Sequence, residues 1–152
     1  MQKFLIVLFS LSILSGYAQS KAEKLFQTKK WSALVAMKAE AKKLSGKDIY
    51  RIGQGCMKEK QDTAAIRMFR MSIKKGYKTG DLYYNLGICY NQVERYPEAV
   101  YALNNALYLV PDRKIYLLEK GASFYSMNEL DSALATYQYT QKAYPKNQFS
   151  AY

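Results

Sequence analysis

The sequence predicts an all-α fold, a solenoid of helix–turn–helix units stacked one on the next. The first observation behind this is a period. Gly53, Gly87 and Gly121 stand 34 residues apart, and so do Ala65, Ala99 and Ala133. The second is that small and large residues keep one register. Ser72, Ala106 and Thr140 recur at the same interval, as do Cys56, Tyr90 and Phe124, and Phe69, Leu103 and Tyr137. Two helices need small side chains where they cross closely and bulky ones between crossings, so a register that keeps both marks stacked repeats. The third is punctuation: Pro111 and Pro145 close their units, and Tyr77 holds that place in the unit before.

Each element follows in chain order. Residues 1–18 read as a secretory signal, with Lys3 as its positive start, an apolar run over Phe4–Leu14, and Gly16-Tyr17-Ala18 before the cut. An apolar run of 11 residues falls short of the roughly 20 that span a bilayer. Cleavage after Ala18 is expected, leaving an exported chain without a membrane span. Its expected location is the periplasm, with secretion as the alternative. Residues 19–45 form a short helical hairpin, Ser20–Lys29 and Trp31–Leu44, that covers the open end of the array. Leu34, Val35, Met37, Ala41 and Leu44 give its apolar face. Trp31 sits at the bend as a packing anchor, and Ser45-Gly46 is expected to end the second helix through a left-handed residue.

Three units occupy residues 46–79, 80–113 and 114–147. The first has helices near Lys47–Lys60 and Asp62–Lys75, with Asp62 as the expected N-cap of the second and Lys74-Lys75-Gly76 as its stop. The second has helices near Asp81–Val93 and Tyr96–Leu109, with Pro97 in a first turn. The third has helices near Ile115–Met127 and Leu130–Ala143, joined at Asn128, a residue that accepts positive φ. Residues 148–152 lie where a further unit would begin, or form a tail. Repeat arrays usually end in a polar-faced helix, and here Leu134, Tyr137 and Tyr144 are left without an evident cover. The chain is therefore either a truncated one or one whose exposed face is an interface.

With the units in place, the chain resembles the tetratricopeptide repeat (TPR) family. The family's W-x-x-L-G-x-x-Y…A-x-x-x-F…A…P pattern is matched by Tyr83, Leu86, Gly87, Tyr90, Ala99, Leu103, Ala106 and Pro111. The resemblance covers Gly46 to Asn147 and implies a right-handed superhelix. Lys120 departs from it, standing where Ile52 and Leu86 place an aliphatic residue, so looser packing is expected in the last unit. The resemblance also implies that the first helix of each unit lines a concave groove for a peptide or partner subunit. The outward places on those helices are Lys47, Tyr50, Arg51, Gln54 and Lys58, then Asp81, Tyr84, Asn85, Ile88, Asn91 and Gln92. The third unit adds Ile115, Leu118, Glu119, Ala122, Tyr125 and Ser126. Tyrosine and asparagine there suit peptide contact, and are equally ordinary repeat filler. Chaperone-binding members hold a C-terminal carboxylate with lysine, asparagine and arginine at five places. In this chain those places carry Tyr50, Gln54, Asn85, Ile115 and Glu119, of which only Asn85 agrees, so that specificity is not supported.

Chemistry is limited by composition. Of 152 residues none is histidine, which removes Ser-His-Asp and Cys-His activation and imidazole metal sites. No nucleotide-binding glycine loop precedes a helix, Gly53-Gln54-Gly55 lying inside a repeat. Neither an enzyme nor a cofactor or metal site is expected. Cys56 and Cys89 sit on neighbouring first helices, one place out of register. They read as small buried side chains, and a disulfide stays open because an exported chain meets an oxidising compartment. Charge is uneven. Residues 19–79 carry 16 basic and 5 acidic side chains, and residues 80–152 carry 6 and 7. The bland reading is a solvated helix surface; the sharper one is an anionic partner or envelope surface. Nucleic acid suits the charge but not the export signal. The functional expectation is a non-enzymatic protein-binding adaptor of the bacterial envelope. The alternatives are the front of a longer envelope signalling protein, and a structural module on an anionic surface.

Overall fold

A computed structural model describes residues 19–145; the expected signal at 1–18, the last two residues of the third unit and the tail at 148–152 lie outside the described residues. It consists of eight α-helices among the described residues, arranged as successive hairpins: α1 (Lys21–Gln27), α2 (Trp31–Ala36), α3 (Gly46–Lys58), α4 (Asp62–Lys74), α5 (Gly80–Gln92), α6 (Tyr96–Leu109), α7 (Lys114–Ser126) and α8 (Leu130–Ala143). The pairs α3–α4, α5–α6 and α7–α8 are the three units. The fold is an all-α helix–turn–helix solenoid.

The repeated glycines explain the close crossings. A Cβ placed on Gly53 would lie 2.4 Å from the Phe69 ring, on Gly87 2.8 Å from Leu103, and on Gly121 2.5 Å from Tyr137. Each glycine thus receives the bulky residue that the period pairs with it, and an alanine would force that side chain away. Ala65, Ala99, Ser72 and Ala106 are fully buried at the other small places, with Ala133 and Thr140 nearly so. Ser72 donates from Oγ to the Gly46 carbonyl at 2.6 Å, fastening the end of α4 to the start of α3.

Every hairpin turns in the same way. Lys60, Glu94 and Asn128 occupy one register place and take φ of 55°, 58° and 60°. The next residue's N–H then reaches back to a carbonyl five residues earlier: Gln61 to Cys56, Arg95 to Tyr90, Glu129 to Phe124. That pair of features is the Schellman closure, which satisfies carbonyls left open at a helix end. The short first hairpin uses it too, with Lys29 at φ 53° and the Lys30 N–H on the Leu25 carbonyl. It is a repeat hairpin cut down in length.

Three expectations need correction. The segment after Trp31 is not one α-helix: α2 ends at Ala36 and a 3-10 helix runs over Met37–Lys43. At three residues per turn, Lys38, Ala41 and Leu44 eclipse one another, and all three are buried or half-buried. Gly46 does not end that segment in a left-handed conformation. Ser45 instead caps α3, accepting from the Asp48 N–H at 3.1 Å, and Gly46 is the first residue of that helix. A glycine is needed there because a Cβ would lie 2.7 Å from that of Tyr77. Asp62 is not an N-cap either; Gln61 holds that place without a side-chain bond, and Asp62 lies in the first turn of α4, where a carboxylate favours the helix dipole.

Candidate functional site

Successive first helices pack against one another, α3 on α5 and α5 on α7, so they form the inner row of the array. The groove residues named from the sequence all lie on this row, but the structure divides them. Arg51 and Tyr50 are buried, at 9% exposure each. Gln54, Tyr84, Asn85, Ile88 and Asn91 are half-buried, and Lys47, Lys58 and Tyr125 are exposed.

Arg51 is a correction. Instead of facing a groove, its guanidinium donates to Glu23 of α1 at 2.8 Å and to Asp48 at 2.9 Å. Asp48 also accepts from the hydroxyls of Ser20 at 2.6 Å and Ser45 at 2.8 Å. Burial alone would raise the Asp48 carboxyl, yet these hydrogen bonds and the Arg51 charge hold it below its ordinary value. The first hairpin is thereby tied across the inner side of the first unit. Tyr50 is a correction of the same kind. Its ring packs against Phe69 and Tyr77, at centroid distances of 5.7 and 5.4 Å, and its hydroxyl accepts from Asn85 Nδ2 at 3.1 Å. Burial, reinforced by Asp81 and Tyr77, pushes this phenol up to about 12.

A pattern joins these contacts. The register place shared by Arg51, Asn85 and Glu119 reaches back in each unit to the preceding first helix. Arg51 meets Glu23, Asn85 meets Tyr50, and Glu119 accepts from Asn91 Nδ2 at 2.8 Å. Ser123 donates to Asn91 Oδ1 at 2.9 Å, and the Tyr116 hydroxyl donates to Asp81 at 2.5 Å. Asn85, expected to bond a peptide backbone, and Asn91, expected to face the groove, are therefore struts between units. Among the described residues no buried side-chain polar atom lacks a partner.

What stays open on the inner row lies in the second and third units. Tyr84 stacks on Tyr116 at 4.8 Å and is half-buried, and Ile88, one turn on along α5, is half-buried too. On α7, Ile115, Leu118 and Tyr125 are exposed, spaced as neighbours along one helix face. This strip was legible in the sequence as outward places, although its apolar character was spread among polar neighbours. Lys120, expected to loosen the last unit, is half-buried with its ammonium 5.6 Å from the Phe124 ring centroid. Desolvation lowers its pKa.

No group of three metal-ligating side chains occurs among the described residues, and no described helix is long and apolar enough to cross a membrane. Cys56 and Cys89 are both buried free thiols. Burial raises both, and the nearby Asp62 carboxylate raises Cys89 further, which keeps the nucleophilic thiolate scarce.

No protein-family model matches the chain. It is 31% identical over 96 residues to Hsp70-Hsp90 organizing protein 3 of Arabidopsis thaliana, a stretch covering 63% of this chain and 17% of that protein. The chain thus spans well under two thirds of that relative's length. Solved structures with similar folds include MamA, with a TM-score of 0.75, 20% identity, and 85% of this chain and 77% of that chain covered. YrrB, a TPR protein with an unusual peptide-binding site, gives a TM-score of 0.73 at 21% identity over 90% of this chain and 75% of its own. The first TPR of Spaghetti (RPAP3), bound to the HSP90 peptide SRMEEVD, gives 0.62 at 17% identity over 68% and 82%. At such identities the likeness speaks for the fold, and the fold is that of a tetratricopeptide repeat solenoid.

Proposed function

We propose that the chain is a non-enzymatic protein-interaction scaffold that takes a peptide or partner subunit on its inner row. The observation that carries this is the exposed apolar strip of Ile115, Leu118 and Tyr125 on α7. It shares the inner row with the half-buried Tyr84 and Ile88 of α5, the helix on which α7 packs. Apolar and aromatic side chains of this kind supply contact area, while the struts behind them keep the row rigid. The contacting set is therefore Tyr84, Ile88, Leu118 and Tyr125, with Gln54 and Lys58 at one edge; Tyr50, Arg51, Asn85 and Asn91 support it. The peptide bound to the first TPR of RPAP3 lends support by showing what a solenoid of this kind can hold.

The setting belongs to the same proposal. The signal-like residues 1–18 support export to the periplasm of a bacterial envelope, or secretion, and the excess of lysine and arginine before Gly80 supports a nearby anionic surface. The test is site-specific photocrosslinking in cells, with the crosslinker at Leu118 and, as a control, at Tyr108 on α6, which is 85% exposed. A discrete adduct from Leu118 that Ile88→Lys abolishes is expected, with the Tyr108 crosslinker giving none. Adducts alike from both positions, or indifferent to Ile88→Lys in a folded chain, would remove the inner row from consideration.

A further inference from the structure

The outer side of the array carries a second recess that the inner row does not use. Here α4 and α6 stand apart over α5, leaving two open hollows of about 700 and 430 Å³ that share Arg70, Lys74 and Arg95. One wall is cationic. Arg67, Arg70 and Lys74 follow one another at intervals of three and four along α4, hence on one face. All three are exposed, and none has an ion pair among the described residues. The opposite wall presents Tyr101, 72% exposed, above Ala102. The floor is apolar, made by Leu86 and the ring of Tyr90. Glu98 is the acid on this channel, and it is already held by Arg95, whose guanidinium also lies 5.0 Å from the Tyr90 centroid. It leaves the α4 row unneutralised.

We propose that this outer channel binds an acidic peptide segment bearing aliphatic or aromatic side chains. Three unpaired cations in a row select negative charge. The apolar floor between them and Tyr101 rewards a ligand that also brings apolar side chains into the channel. A flat anionic lipid surface would meet the ridges of α4 and α6 without reaching Leu86, so the recess favours a single chain. The site is independent of the inner row, since its walls are second helices.

The probe is a fluorescein-labelled peptide of about 12 residues, glutamates with leucine or phenylalanine at every third or fourth place, titrated by anisotropy against the purified protein. Saturable binding is expected. Arg67→Glu with Arg70→Glu should weaken it about tenfold or more, in keeping with the loss of charge-assisted hydrogen bonds. Replacing the apolar residues of the peptide by serine should weaken it similarly, and Ile88→Lys on the inner row should leave it unchanged. Both arginines are exposed, and circular dichroism checks that the double variant folds; Lys74→Glu alone serves as a milder second variant. Binding unaffected by these reversals, or equally strong for the serine peptide, would overturn the proposal. So would phosphatidylglycerol vesicles that bind through the same arginines while the peptide does not.

Discussion

Arg51 shows what a single register place does in this array. Read from the repeat, positions 51, 85 and 119 face outward on first helices, and Arg51 looks like the cationic end of a groove. Its partner Glu23 stands 28 residues earlier, in a hairpin too short to share the period, so the repeat alone gave no sign of the pairing. Replacing Arg51 by methionine keeps the aliphatic stem and removes the charge, leaving Asp48 with Ser20 and Ser45 alone. A loss of about 3 kcal/mol is expected at neutral pH, the low end for one partner removed from a buried pair because Glu23 keeps partial exposure, read from urea unfolding. The sign with pH follows from Asp48. Its folded pKa is lowered, so its stabilisation is complete above the ordinary value of about 3.9 and is lost as pH falls through the folded value. The gap between wild type and Arg51→Met should therefore narrow at pH 3. A gap that is absent at pH 7, or unchanged at pH 3, would mean that the cluster does not tie down the first hairpin.

At the scale of the element, helix positions were legible and turn chemistry only partly so. The helix α6 and the helix α8 begin and end where the pattern of apolar residues placed them, and Asn128 was recognisable as a left-handed turn residue. Lys60 and Glu94 take the same conformation with side chains that give no such signal, because the Schellman closure is a backbone arrangement imposed by the next helix docking on the last. For these two residues the left-handed region costs about 1–2 kcal/mol, offset in part when glycine replaces them by the greater freedom of the unfolded chain, roughly 0.5–1 kcal/mol. Lys60→Gly and Glu94→Gly should each raise stability by about 0.5 kcal/mol. Gly76, at φ 84° with nothing within 4 Å of a built Cβ, provides the opposite control: Gly76→Ala should lower stability through backbone strain alone. Urea midpoints at constant slope would establish both signs, and destabilisation by both glycine substitutions would show that the lysine and glutamate stems contribute packing that outweighs the strain.

Across the whole molecule, packing thins along the chain. The helix α3 has eight buried residues, from Asp48 to Cys56, whereas α8 has two, Ala133 and Thr140, and among the described residues nothing covers Leu130 or Leu134, both more than half exposed. The sequence announced part of this through Lys120, since a charge at the place of Ile52 and Leu86 weakens the contact between α7 and α8. It did not announce that the first unit is closed on its inner side by α1, because that depends on the Glu23–Arg51 pair. A solenoid is held by nearest-neighbour contacts, so stability need not be uniform and its weakly packed end opens first. Hydrogen exchange should accordingly show amides of α8 exchanging well before those of α3 and α4. Lys120→Leu removes a desolvated ammonium at the cost of its contact with Phe124, worth about 0.5–1 kcal/mol, and restores the aliphatic place between the last two helices. It should slow exchange in α8 by several-fold while leaving α3 unchanged, because the gain is confined to one interface. Equal protection of α3 and α8 in the wild type would instead make the array a single cooperative unit, and the same substitution would then slow exchange everywhere alike.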